Sequence, residues 1–96
     1  MYEACREYGF SAAHQLRGYE GKCEALHGHN WKVKICARAE ELDHLGMVVD
    51  FKNLKKALSE VLESLDHHML NDVPPFDTIN PSAENLACFI ATEVDK

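Results

Sequence analysis

The sequence predicts an α+β fold, an antiparallel sheet with two helices packed on one of its faces. Three observations predict it. Residues 29–39 alternate apolar and mostly polar side chains, the period of a half-buried strand. Phe51, Leu54, Leu58, Val61, Leu62 and Leu65 recur at helical spacing, with lysines and glutamates on the opposite face. A second helical stripe, Ala83, Leu86, Ala87, Ile90, Ala91 and Val94, ends the chain. Strands first and helices last is the order of a sheet with its helices segregated to one side.

The elements follow in order. Tyr2, Ala4, Tyr8 and Phe10 fall on one side of a first strand over 2–10, which Ser11 to His14 either continue or turn away from. Gly18 and Gly21 mark an irregular loop that ends at Cys23. The second strand covers roughly 29–39, residues 40–46 read as a hairpin turn, and Met47-Val48-Val49 as a short third strand. Asp50 is a helix N-cap ahead of Phe51. Pro74 and Pro75 predict extended chain. The last helix starts at Asn80, with Pro81 as its first residue, or slightly further in at Ser82. It reaches Lys96 without a closing element, so the sheet reads as one C-terminal strand short and exposes an edge.

Ninety-six residues make one domain, 1–96. A formal charge of −6 argues against a nucleic-acid partner, which needs a basic footprint. No apolar run reaches the roughly 20 residues of a membrane helix, and no charged-then-apolar leader opens the chain. The spacing of Cys5, Cys36 and Cys88 suggests neither a disulfide framework nor a redox pair. These three read as small apolar residues of a reduced, cytoplasmic protein.

The chemistry concentrates in Cys23-Glu24-Ala25-Leu26-His27-Gly28-His29. Residues two apart on a strand point the same way, so His27 and His29 present both imidazoles on one face. An ordinary surface strand can also carry two histidines. His14, at the end of the neighbouring strand, supplies a third candidate ligand. Three protein ligands with an open fourth position is the catalytic pattern for zinc. Cys23 is then a base near the cation, or a fourth ligand that closes a structural site. Asp66 beside His67 either orients an acid–base imidazole or decorates a helix C-terminus. Glu24 is a second base or a loop carboxylate, and His44 a surface residue.

Six motifs together carry a resemblance: Cys23-x-x-x-His27-Gly28-His29, Phe10-Ser11-Ala12-Ala13-His14, Val49-Asp50-Phe51, Leu65-Asp66-His67-His68, Leu70-Asn71-Asp72 and residues 80–86, Asn-Pro-Ser-Ala-Glu-Asn-Leu. In these the chain resembles the 6-pyruvoyl-tetrahydropterin synthase family, and most of all its short bacterial branch, which serves queuosine synthesis. The resemblance implies a tunnelling fold whose subunits close barrels and stack into a homohexamer, a dimer of trimers, with active sites between subunits. It implies Zn2+ on His14, His27 and His29, Cys23 as proton-abstracting base, and Asp66 with His67 as relay. The implied reaction converts 7,8-dihydroneopterin triphosphate to 6-carboxy-tetrahydropterin, acetaldehyde and triphosphate.

The family continues into a strand bearing a pterin-anchoring glutamate, which this chain does not reach. Glu24 overlays a second pattern, Glu24-x-x-His27-Gly28-His29, similar to relatives that release 6-hydroxymethyl-dihydropterin for folate. The alternatives are therefore a 6-pyruvoyl-type or folate-branch enzyme, or a non-catalytic zinc-binding subunit of an oligomer.

Overall fold

A computed structural model of the chain describes residues 1–18 and 25–95. Two long strands, β1 (Tyr2–His14) and β2 (His27–Ala39), form one antiparallel ribbon. Helices α1 (Phe51–Glu63) and α2 (Ala83–Val94) follow, with a single 3-10 turn at Leu70–Asp72 between them. The α+β prediction holds, and β1 runs on through Ser11 to His14. The molecule is elongated, 53 × 23 × 20 Å, because the 13-residue ribbon sets its length.

Pairing is in register from Tyr2 opposite Ala39 to His14 opposite His27. One ribbon face therefore carries Tyr8, Phe10, Ala12 and His14 beside Ile35, Val33, Trp31 and His29. Phe10 and Ala12 are buried there against Leu58, Leu62 and Leu65, together with Leu86 and Ile90 from α2. Asp50 caps α1 as expected, accepting from Lys52 N at 2.8 Å. For α2 the cap is Ser82, not Asn80, and Asn85 N donates to its Oγ. Leu86 and Ile90 bury the inner face of α2, while Ala87 and Ala91 of the expected stripe stay exposed. No helix of the described residues is long and apolar enough to cross a membrane.

Three expectations need correction. Met47, Val48 and Val49 do not form a third strand, and residues 40–46 turn without making a hairpin. Asp43 closes this stretch on itself: its Oδ1 accepts from Leu45 N at 2.8 Å and Met47 N at 3.0 Å. Its own N–H donates to Met47 O at 2.9 Å, and Gly46 takes the positive φ that the turn needs. That spends the hydrogen-bonding groups of Met47 locally, so none is left to start a ladder.

Pro74 and Pro75 lie in consecutive turns, where Phe76 N donates to Val73 O at 2.7 Å and Thr78 N to Pro75 O at 3.0 Å. These turns carry Phe76 into the core, fully buried and edge-on to Phe89. Finally, Cys5 and Cys36 are joined by a disulfide across the ribbon, their Cα atoms 4.1 Å apart. Their 31-residue separation looks remote in sequence, yet the antiparallel register sets them face to face. Cys88 is exposed on α2 rather than part of the apolar packing.

Candidate metal centre and its surroundings

Where the ribbon ends, period-two alternation puts His27 and His29 on one face of β2, and the register places His14 opposite His27. The three rings converge, with centroids 4.5 to 5.2 Å apart. One ligand nitrogen from each lies within 4.8 Å of the others. His14 is buried at 6% exposure, His27 half-buried and His29 exposed, so the cluster opens on one side. Three imidazoles with an accessible flank match an open coordination site more closely than a sealed one.

The ring orientations are set from behind. His14 Nδ1 lies 2.8 Å from the carbonyl of Pro81, and His27 Nδ1 lies 2.8 Å from that of Ala25. A carbonyl only accepts, so Nδ1 carries the proton in each neutral ring and Nε2 keeps its lone pair. Those two Nε2 atoms face each other at 3.1 Å. Two lone pairs so placed repel unless a cation or a proton lies between them. Tetrahedral zinc bound to nitrogen at ~2.0–2.1 Å sets neighbouring nitrogens about 3.3 Å apart. The donor set, its tautomers and its spacing therefore fit a zinc-like ion.

Asp66 and His67 reach the same region by another route. Helix α1 ends at Glu63, Leu65 fills the core, and His67 takes a positive φ of 58°. Non-glycine residues in this region are uncommon, although histidine is among those enriched there. The turn docks on the outer edge of β1: Ser11 N donates to Asp66 Oδ1 at 2.9 Å, His67 N donates to Ser11 O, and Ala13 N donates to His68 O at 3.1 Å. Asp66 thus sits against a strand rather than decorating a free helix terminus. The Ser11 N–H is the main cause that holds its carboxyl below the usual carboxylate value; burial opposes it, and His67 Nδ1, 3.0 Å away, adds to the lowering. The His67 ring is 81% exposed. It shares a hollow of about 510 Å3 with His29, lined also by Ser11, Asn30 and Met69.

Of the candidate residues, the structure brings together His14, His27 and His29, and it sets Asp66 with His67 at the rim of the adjoining hollow. Cys23 and Glu24 lie outside the described residues. His44 is exposed in the Asp43 turn, as expected. Reading the sequence did not assign the Pro81 carbonyl or the backbone of Ser11, because main-chain atoms leave no compositional signal. Asn71 was visible in its motif without a role, and Asn80 only as a candidate helix cap. Asn71 Oδ1 accepts from Gln15 N and Asn80 Oδ1 from Arg17 N, just beyond His14.

Comparison with known proteins identifies the family and the fold. Residues 3–96 match the family model described as 6-pyruvoyl tetrahydropterin synthase. The chain is 35% identical over 101 residues to the 6-carboxy-5,6,7,8-tetrahydropterin synthase of Synechocystis sp., a match that covers all of this chain and 77% of the relative. The solved Caenorhabditis elegans 6-pyruvoyl tetrahydropterin synthase superposes with a TM-score of 0.84 at 31% identity, covering 98% of this chain and 76% of that one. A solved Plasmodium vivax 6-pyruvoyltetrahydropterin synthase, with a catalytic glutamate replaced by alanine, superposes with a TM-score of 0.56 at 30% identity. That superposition covers 71% of this chain and 42% of that one.

Proposed function

The chain belongs to the 6-pyruvoyl tetrahydropterin synthase family, and from that premise we propose that it is a zinc-dependent lyase acting on 7,8-dihydroneopterin triphosphate. The products are 6-carboxy-5,6,7,8-tetrahydropterin, acetaldehyde and triphosphate, in the branch that leads to queuosine. The observation that carries the reading is the convergence of His14, His27 and His29, with Nδ1 of His14 and His27 turned to carbonyls. A relative of that name, matched over the whole of this chain, supports the choice of branch.

His14, His27 and His29 would hold Zn2+, which would supply Lewis acidity that polarises the substrate and acidifies a C–H bond. The protein's own residues do the rest. Pro81 and Ala25 keep the Nε2 lone pairs of His14 and His27 aimed at one point. Cys23, four residues before His27, is the base that removes the proton, its thiolate favoured beside the cation. Asp66, kept ionised by Ser11, orients His67 through Nδ1, which leaves Nε2 of that ring to take or return a proton at the hollow's rim. One domain of this kind completes its site beside a second copy in a homohexamer. A triphosphate substrate is too charged to cross a bilayer unaided, which supports a reaction in the cytoplasm.

A second reading rests on Glu24, next to Cys23, and on the catalytic glutamate of the Plasmodium vivax relative. On that reading Glu24 is the base and the product is 6-hydroxymethyl-dihydropterin. Chromatographic product analysis with dihydroneopterin triphosphate separates the two. Cys23→Ala is expected to keep its zinc and lose ~10²–10⁴-fold in turnover, the usual contribution of a positioned base. Retained turnover in Cys23→Ala, with activity abolished in Glu24→Ala, hands the reaction to the second reading.

A further inference from the structure

His14 closes β1, and the main chain just beyond it is held by side chains from the loop ahead of α2. We propose that Asn71, Asn80 and Arg17 form a clasp that positions His14, backbone and ring together, at the triad. This proposal rests on reading the triad as a metal centre.

Two side-chain amides grip this segment. Asn71 Oδ1 accepts from Gln15 N at 2.8 Å, and its Nδ2 donates to Gln15 O at 2.7 Å. Asn80 repeats the pattern two residues on, with Arg17 N at 2.7 Å and Arg17 O at 2.9 Å. Each amide thus offers one donor and one acceptor to one residue's main chain, the pairing that a β-ladder would have provided. Alternate residues, Gln15 and Arg17, are gripped.

The grip is returned. Arg17 spreads its guanidinium over the loop that holds it, donating to Phe76 O at 2.6 Å, Ile79 O at 3.2 Å and Asn71 O at 3.4 Å. Asn85 Nδ2 donates to Asn80 O at 2.8 Å and ties the loop to the first turn of α2. Pro81, the residue after Asn80, is fully buried and presents the carbonyl that takes the His14 Nδ1 proton. The loop that holds the main chain one and three residues past His14 therefore also sets its ring. Partners that orient a ligating imidazole are worth about 10–100-fold in metal affinity. A clasp that merely braced the loop would affect stability and leave the metal alone.

The test uses the full chain. Asn71→Asp and Asn80→Asp keep side-chain size and the acceptor, but set an oxygen against the Gln15 or Arg17 carbonyl. Leu58→Val, in the α1 core away from the clasp, serves as a control for lost stability. Zinc affinity by chelator competition, the visible spectrum of the Co2+-loaded protein and Tm are measured on each. The clasp predicts zinc bound about 10–100-fold more weakly and an altered Co2+ spectrum in both Asp variants. Leu58→Val should lower Tm and change neither metal readout. If the Asp variants do not fold, Asn71→Ser and Asn80→Ser, which weaken the clasp without repulsion, give the same comparison. Unchanged affinity and spectrum in the Asn variants, or changes equal to those of Leu58→Val, overturn the clasp. A wild-type protein that takes up neither ion overturns the metal-centre reading and the clasp with it.

Discussion

The two ends of the β1–β2 ribbon are built on different physics. At the His14 end, noncovalent contacts from distant sequence converge: residues 66–69 dock on the β1 edge, and Asn71, Asn80 and the Pro81 carbonyl hold the chain and the ring. About 30 Å away along the strand, nine residues at ~3.3 Å each, the Cys5 end is held by a disulfide and an exposed ion pair between Glu3 and Arg38. An exposed pair of that kind contributes at most about 1 kcal/mol, so the covalent bond dominates there. The contrast teaches that stability and function are separable along this ribbon. The expectation is that one end can be loosened without moving the other's ligands.

The largest expected effect comes from the triad itself. His27→Ala should lose both stoichiometric zinc and turnover, as measured by metal analysis and product formation. Stoichiometric zinc in that variant would show that the ion binds elsewhere. Next is the opposite end. Replacing both Cys5 and Cys36 by serine frees a 31-residue separation, and the chain-entropy model puts the lost stability at roughly 3–4 kcal/mol. Chemical denaturation should register that loss while zinc affinity stays within error of wild type. A matching fall in zinc affinity would mean that the two ends are coupled after all.

Asp66→Asn gives the smallest change in stability and the most informative pH dependence. The folded carboxyl titrates below its unfolded value, so its contribution is fully present above about pH 4 and fades as pH falls through the folded value. Wild type should therefore exceed the variant in stability from neutral pH down to about pH 4, with the two converging below. Turnover should fall at neutral pH because His67 loses its orienting partner. A stability difference that persists undiminished in acid would remove the ionised carboxylate from the explanation.

Much of this was legible in the residues, for local reasons. Period two fixed the shared face of His27 and His29, and helical spacing with an Asp50 cap fixed α1. The relay turn was legible as a motif, but its docking partner, the Ser11 backbone, was not. Residues 47–49 misled because three apolar residues have strand propensity, whereas the Asp43 side chain spends the neighbouring hydrogen bonds first. The disulfide was hidden for a different reason. Antiparallel pairing keeps the sum of partner numbers constant, so placing His14 opposite His27 also places Cys5 opposite Cys36. Cysteine spacing along the chain carries no trace of that, while the strand register does.

The central claim is an open three-histidine metal centre at one end of the ribbon, and X-ray absorption at the zinc edge of the loaded wild-type protein tests it most directly. The account predicts three imidazole nitrogens at about 2.0–2.1 Å, one further light-atom ligand at a similar distance, and no sulfur. Sulfur scattering at about 2.3 Å would contradict it, showing that a cysteine closes the site and that Cys23 is a ligand rather than a base.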